Sequence, residues 1–351
     1  MAHAAPAKKK TWFRKQPMMR KVEIALIPAL IGSVYYFGWR SLAMVVWVSL
    51  VGMLAEFIMA KRRGDPVTEA VFVTSMLFGL SLPPTLPFWQ AAVGIVVGIL
   101  FGKEVFGGFA RNPFNPAIVG RGFIYVCFPV DMTSGFTPVW KGFPGGFAHW
   151  AVQTFYEGID AMTAATPMWS RRDYAYEAGL LNLFLGNIGD VFTSSDGVTR
   201  ALAAGSMGEV SALLVFIGGI YLLWTKTANW RLTVSTLGGA VTATVIFRYF
   251  LGAEKVPPVL WTLCSGAMLY AAFFMVTDPI SAPKNKNAQL IYGAFIGFMI
   301  VFFRWKAVFA GGVAFAILLG NTIGPTVEMV CKARADKNRK KAAAAKAEVR
   351  A

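Results

Sequence analysis

The sequence predicts an all-α polytopic membrane protein, with about ten transmembrane helices arranged as two inverted five-helix repeats and a long outer loop. Three observations predict it. Of 351 residues, 56% are hydrophobic and only 15% charged, more apolar surface than a water-soluble domain of this size can hide. Several apolar runs reach the roughly 20 residues that cross a bilayer core. Basic residues recur between these runs on one side of the membrane if there are ten crossings.

Residues 1–21 form a basic stretch carrying Lys8, Lys9, Lys10, Arg14, Lys15, Arg20 and Lys21. The apolar run that follows, about 22–39, is long and has no small-residue cleavage site, so it reads as a signal anchor. Further spans at about 42–60, 67–82, 87–106 and 117–130 complete a first membrane repeat over 22–130. Lys61, Arg62 and Arg63 follow the second span, and Lys103 and Arg111 the fourth. A loop over 131–208 leaves the bilayer. A second repeat over 209–331 holds spans at about 209–225, 232–251, 257–276, 289–303 and 307–327, with the fifth and ninth of the ten short enough to be broken or re-entrant. Lys226 and Arg231 follow the sixth span, Lys284 and Lys286 the eighth, and a basic tail over 332–351 the tenth. All these charges fall on one side, which the positive-inside rule makes cytoplasmic, and both termini with it. The net charge of +16 is thereby accounted for by topology and anionic lipid, and no nucleic-acid partner is expected.

Two halves of the chain share landmarks. Val73-Thr74, Gly107-Gly108 and Asn115 recur as Val276-Thr277, Gly311-Gly312 and Asn321, with helix-length apolar sequence between them. Five spans on either side of the loop would invert the second copy, an arrangement that in transporters places the site at the repeat interface. The loop, on the outer face, carries Trp140, Trp150, Tyr156, Trp169, Tyr174 and Tyr176, suited to an interfacial belt or to stacking on a planar ring. The three cysteines, Cys127, Cys264 and Cys331, are far apart, so no iron-sulfur or zinc site is expected from this chain, and no metal ligand is assigned. No Rossmann fingerprint is present either.

A set of ordered motifs then carries a specific resemblance. Phe72-Val73-Thr74-Ser75 leads to Pro83-Pro84-Thr85-Leu86-Pro87-Phe88-Trp89-Gln90-Ala91-Ala92, followed by Lys103-Glu104-Val105-Phe106-Gly107-Gly108, Asn115-Pro116-Ala117 and Gly120-Arg121. Further on come Met207-Gly208-Glu209 and Thr277-Asp278-Pro279. From about Val51 to Glu328 the chain resembles the NqrB/RnfD family, the flavin-bearing membrane subunits of the sodium-translocating NADH:quinone oxidoreductase and of the Rnf ferredoxin:NAD oxidoreductase. In that family a flavin transferase reads an Asp-x-x-Ser/Thr-Gly-Ala-Thr motif and joins FMN through its phosphate to the last threonine. By position the resemblance implies Thr166 as the attachment residue, with Asp160, Thr163 and Ala165 as motif residues. Ala164 stands where the family usually has glycine, which adds a methyl group and restricts φ. The resemblance also implies a noncovalent riboflavin, to which no residue here is assigned.

Acidic residues inside a bilayer are costly and mark function. Glu56 lies in the second span, Glu104 near the end of the fourth, Asp278 after the eighth and Glu328 at the close of the tenth. Glu104, beside Lys103, is expected at the membrane interface, and Asp278, before Pro279, is suited to capping a turn. The resemblance implies cation passage for Glu56, Asp278 and Glu328. Where the quinone-reducing branch has a Gly-Gly pair shaping its quinone region, this chain has Gly52-Met53, and the first span begins without that branch's long N-terminal extension. The expected function is a flavin-carrying subunit of an ion-translocating (Na⁺ or H⁺) respiratory complex of the bacterial cytoplasmic (inner) membrane. It would pass electrons through covalent FMN toward quinone, alongside partner subunits and its flavin transferase. An RnfD role in an Rnf-type complex is the first alternative. A channel or transporter without flavin, which ten spans in inverted repeats fit equally well by shape, is the second.

Overall fold

A computed structural model describes residues 12–152, 166–189, 191–193, 197–307 and 311–348. Fourteen α-helices occupy the described residues. Ahead of the long loop come α1 (Pro17–Phe37), α2 (Trp39–Arg63), α3 (Ala70–Leu80), α4 (Phe88–Ile99, continued by a π-helical turn over Leu100–Glu104) and α5 (Pro116–Cys127). The loop contributes α6 (Pro129–Ser134), α7 (Pro167–Tyr174), α8 (Leu180–Leu185) and a two-stranded antiparallel ribbon, Val191–Thr193 with Thr199–Ala201. After the loop come α9 (Ala212–Trp224), α10 (Trp230–Thr244, with a π-turn over Val245–Phe250), α11 (Val259–Cys264), α12 (Met268–Tyr270, with a π-turn over Ala271–Met275), α13 (Lys286–Lys306) and α14 (Gly312–Glu348).

The protein is a mostly helical membrane protein, and three helices are long and apolar enough to cross a bilayer: Trp39–Arg63, Lys286–Lys306 and Gly312–Lys340. Each of the ten expected intervals contains helix, and the fifth is short as expected, its 12-residue α5 ending at Cys127 and breaking at Phe128 before α6. The ninth is a full helix of 21 residues, because Asn285 caps it upstream by accepting the N–H of Asn287 and Ala288. The eighth is broken instead. Its two short helices part at Ser265–Ala267, where Gly266 sits at φ 57°.

On α2, Val46, Leu50, Leu54 and Ile58 form an exposed stripe at four-residue spacing, while Met44, Val48, Gly52 and Ala55 on the other face are buried. A helix apolar on both faces faces apolar surroundings outward as well as inward, as a bilayer provides. Small residues bring helices into backbone contact. A Cβ on Gly120 or Gly98 would strike the facing backbone of Gly94 or Pro116 between α4 and α5, and one on Gly239 or Gly297 would strike Ala294 or Thr236 between α10 and α13.

Side chains join the helix ends into two opposite poles. At one, Gln16 and Arg20 meet Glu69, Arg63 meets Glu104, and Asn229 donates to Gln289 at 2.9 Å. At the other, Arg40 holds Leu86 O at 2.7 Å, Tyr36 donates to Leu185 O at 2.5 Å, and Trp261 donates to Ala178 O at 2.9 Å. The loop helices α7 and α8 sit at this second pole.

Candidate functional site

Thr166 stands immediately before α7, with Pro167 as the first helical residue, a position that proline's missing N–H and fixed φ suit. Its carbonyl accepts the Ser170 N–H at 2.8 Å, its hydroxyl does not cap the helix, and the residue is only 9% exposed. Asp160, Thr163 and Ala165 lie outside the described residues.

Thr166 opens onto a cavity of about 440 Å³ at the second pole, walled by the loop and by helices from both sides of it in the chain. That volume lies within the range of small-molecule sites, about 300–1,000 Å³. From α5 come Arg121 and Tyr125, from the start of α7 Trp169 and Arg172, from α13 Arg304, and from the turn before α9 Glu209. Gly311 and Gly312, one of the repeated landmarks, form part of its wall. Of the described loop aromatics singled out by sequence, only Trp169 lines it. Trp140 stacks on His149 at 3.9 Å and Tyr176 on Phe192 at 4.4 Å, while Tyr156 lies outside the described residues.

The cavity is electropositive. Arg121 is anchored to Ser81 O and to Ser206 Oγ (3.2 Å), and Arg304 to Thr262 O and Ser265 O at 3.1 and 3.0 Å. Arg172 grips Asp173 through two bonds of 2.8 Å and donates to Ala307 O at 2.7 Å, and the paired guanidinium holds the Asp173 carboxyl below the usual range. Against these stands Glu209, whose Oε1 accepts the Ser206 N–H at 2.9 Å.

A second cluster lies at the opposite pole. Glu56, 2% exposed, accepts Lys103 Nζ at 2.6 Å, Thr68 Oγ1 at 2.6 Å and the Thr68 N–H at 2.9 Å. Lys103 also donates to Thr68 Oγ1 at 2.9 Å and reaches a cavity of about 60 Å³ lined by Thr74, Asn115, Thr277 and Asp278. Asp278 caps its own turn, accepting Ser281 Oγ at 2.8 Å and the Ile280 N–H at 3.2 Å, as the sequence suggested. The repeated asparagines meet here, Asn115 N–H donating to Asn321 Oδ1 at 3.1 Å. Glu328 stands apart, bound to Lys332 Nζ at 2.9 Å and the Lys284 N–H at 3.2 Å. Gly52, one turn before Glu56, is packed against Ser75 and Ile99, and Met53 is half-buried beside it.

Glu104 sits among the helix ends of the first pole, buried against its neighbours and paired with Arg63 across from α2, the π-turn ending α4 turning Lys103 and Glu104 inward together. Lys103 is correspondingly an interior cation and not a loop charge.

Sequence reasoning also passed over Arg172 and Arg304, and gave Arg121 and Glu209 no role. A signal existed for Arg304, which follows the ninth apolar run at the end opposite to the basic loops, whereas Arg121 lies within the fifth run and stands out only as a cation in apolar sequence. Charges that defy the positive-inside pattern mark function.

The sequence profile of the NQR2, RnfD, RnfE family matches residues 6–337. The B-type subunit of the Na(+)-translocating NADH-quinone reductase of Pseudomonas aeruginosa is 34% identical over 284 residues, covering 80% of this chain and 64% of that protein. The D-type subunit of the ion-translocating oxidoreductase complex of Vibrio cholerae is 31% identical over 339 residues, covering 90% and 93%. The corresponding protein of Pectobacterium carotovorum is 30% identical over 345 residues, covering 92% and 94%. The chain thus spans just under two thirds of the reductase protein it matches.

Proposed function

The chain belongs to the NQR2, RnfD, RnfE family, and from that premise we propose that it is the membrane subunit of an ion-translocating oxidoreductase complex that carries FMN on Thr166. The observation that carries the reading is the position of Thr166 on the wall of the larger cavity, among three arginines.

The donor set suits a flavin phosphate. A flavin presents a planar ring, a polar edge of two carbonyls flanking an N–H, and an anionic phosphate. The cavity supplies Trp169 and Tyr125 as apolar and stacking surface, guanidinium donors from Arg121, Arg172 and Arg304, and a carboxylate acceptor in Glu209. A phosphate ester on Thr166 would stand at the N-terminus of α7, where the partial positive charge of the helix favours an anion. When bound, FMN supplies one- and two-electron transfer, which no side chain of this protein provides. The protein's part is to fix one end of the ring system at Thr166, to neutralise charge with anchored arginines, and to exclude water between the two repeats.

We read the fold as two inverted five-span repeats over 22–130 and 209–331. The basic ends 1–21 and 332–351 would be cytoplasmic, and the loop 131–208 would place Thr166 on the outer face of a bacterial inner membrane. The meeting of Asn115 with Asn321, and the placing of the two Gly-Gly landmarks at opposite poles, support that symmetry. Electrons would enter at the outer face and leave inward through a noncovalent riboflavin toward quinone near Gly52 and Met53, with Na⁺ or H⁺ passing by Glu56, Asp278 and Glu328. Coupling requires reduction to shift two access states by a few kcal/mol. Partner subunits supply iron-sulfur and nicotinamide chemistry, and the flavin transferase loads Thr166. An RnfD role is the second reading, favoured by relatives aligned along 93 and 94% of their length.

The test is the mass of the proteolytic peptide containing Thr166 after co-expression with the transferase. An increment of FMN less one water is expected on Thr166, and an unmodified peptide would overturn the reading.

A further inference from the structure

We propose that Glu209, with Arg121 and Arg304, is the recognition edge for the polar side of the flavin ring, and that its carboxylate holds the ring's redox potential down. The proposal rests on the flavin reading above and assigns residues to it.

Glu209 lines the cavity that Thr166 opens onto, and its two oxygens differ. Oε1 is satisfied by the Ser206 N–H at 2.9 Å, whereas Oε2 is sealed from solvent and has no hydrogen-bond partner among the described residues. A buried carboxylate oxygen left unpaired bears its full desolvation penalty, so its retention beside a cavity points to a donor brought by a ligand. The carboxylate is held where it is by a built cradle. Gly205 adopts φ 61°, and a Cβ there would come within 2.8 Å of Oε1. A side chain at 205 would therefore be strained and would also push the carboxylate away.

Arg121 and Arg304 line the same cavity and lie within the field of Glu209. Each spends two bonds on fixed acceptors, which orients it, and each guanidinium carries five N–H donors, so donors remain for a ligand. Arg121, Arg304 and Glu209 thus offer two sets of donors and one acceptor to the same cavity. The ring edge of carbonyl, N–H and carbonyl presents the complement, so the unpaired oxygen would accept the ring N–H.

The electrostatic consequence follows from charge alone. Reduction adds electron density to the ring, which the guanidiniums favour and the carboxylate opposes, strongly in a site screened from water. Replacing Glu209 with glutamine keeps the shape and an acceptor and removes the opposing charge, so the reduced form gains. A purely structural role for Glu209, as a counter-ion to the arginines, would lower yield or flavin content without moving the potential of the flavin that remains.

The experiment is a reductive titration of the purified whole complex, with the Thr166 flavin isolated by subtracting the Thr166→Ala complex. For Glu209→Gln at fixed potential, the reduced-to-oxidised ratio should rise at least tenfold, about 30 mV for a two-electron couple. Glu209→Asp, which keeps the charge, should stay within threefold of the native ratio and stands in if the glutamine variant does not assemble, a shift beyond that range then counting against the assignment. An unchanged potential in Glu209→Gln complex that retains covalent flavin overturns it. A native complex without flavin on Thr166 instead overturns the functional reading, and this proposal with it.

Discussion

At the scale of single residues, the two polar clusters differ in how their charges are compensated. Glu56 and Lys103 are both almost fully buried and satisfy each other and Thr68, so removing one partner leaves an uncompensated charge in an apolar interior. Lys103→Met should destabilise the protein by about 3–5 kcal/mol, while Lys103→Met combined with Glu56→Gln should recover much of that loss. Thermal unfolding of the four detergent-purified proteins of this cycle decides it, and additive losses would mean the pair is not coupled. Glu56 was legible from sequence because a lone acid in an apolar run stands out. Its partner was not, because Lys103 is indistinguishable in sequence from the loop lysines until a π-turn carries it inward. Thr166 was legible only through a motif, and the arginines that surround it come from helices far apart in the chain, which no local pattern reveals.

At the scale of elements, polar residues cap four of the helix starts. Asn115, Ser211, Asn229 and Asn285 each accept a backbone N–H from the first turn of the helix that follows. Apolar runs located the helices and the short fifth span but not the break in the eighth, since the interruption between α11 and α12 depends on Gly266, and glycines are common throughout these runs. Close packing sets the strongest local constraint. Gly52→Ala would place a methyl 2.8 Å from Ser75 Oγ and 3.0 Å from Ile99 Cδ1, where α2, α3 and α4 meet. Overpacking there should cost about 1–3 kcal/mol, measured as a fall in Tm. A fall no larger than that of Gly238→Ala would contradict so tight a junction. Gly238, inside α10, has ordinary helical backbone and open space where a Cβ would stand, so an alanine there is unstrained.

At the scale of the whole molecule, side-chain bonds join helix ends at two poles, and the pattern of basic loops assigns one of those poles to the cytoplasm as an expectation still to be measured. In a background lacking native cysteines, Thr199→Cys in whole cells should react with a membrane-impermeant thiol reagent and Lys286→Cys should not. The reverse pattern would invert the topology and put Thr166 on the cytoplasmic side. Sequence could not reveal that helices from before and after the loop close with it around one cavity, because that depends on the tertiary meeting of α5, α7, α13 and the turn before α9. The claim on which everything else depends is that this cavity serves a flavin held by Thr166. Flavin fluorescence of the denatured band on a gel, after co-expression with the flavin transferase, tests it most directly. The native chain should fluoresce and Thr166→Ala should be dark. A dark native band, or a Thr166→Ala band as bright as the native one, would contradict it.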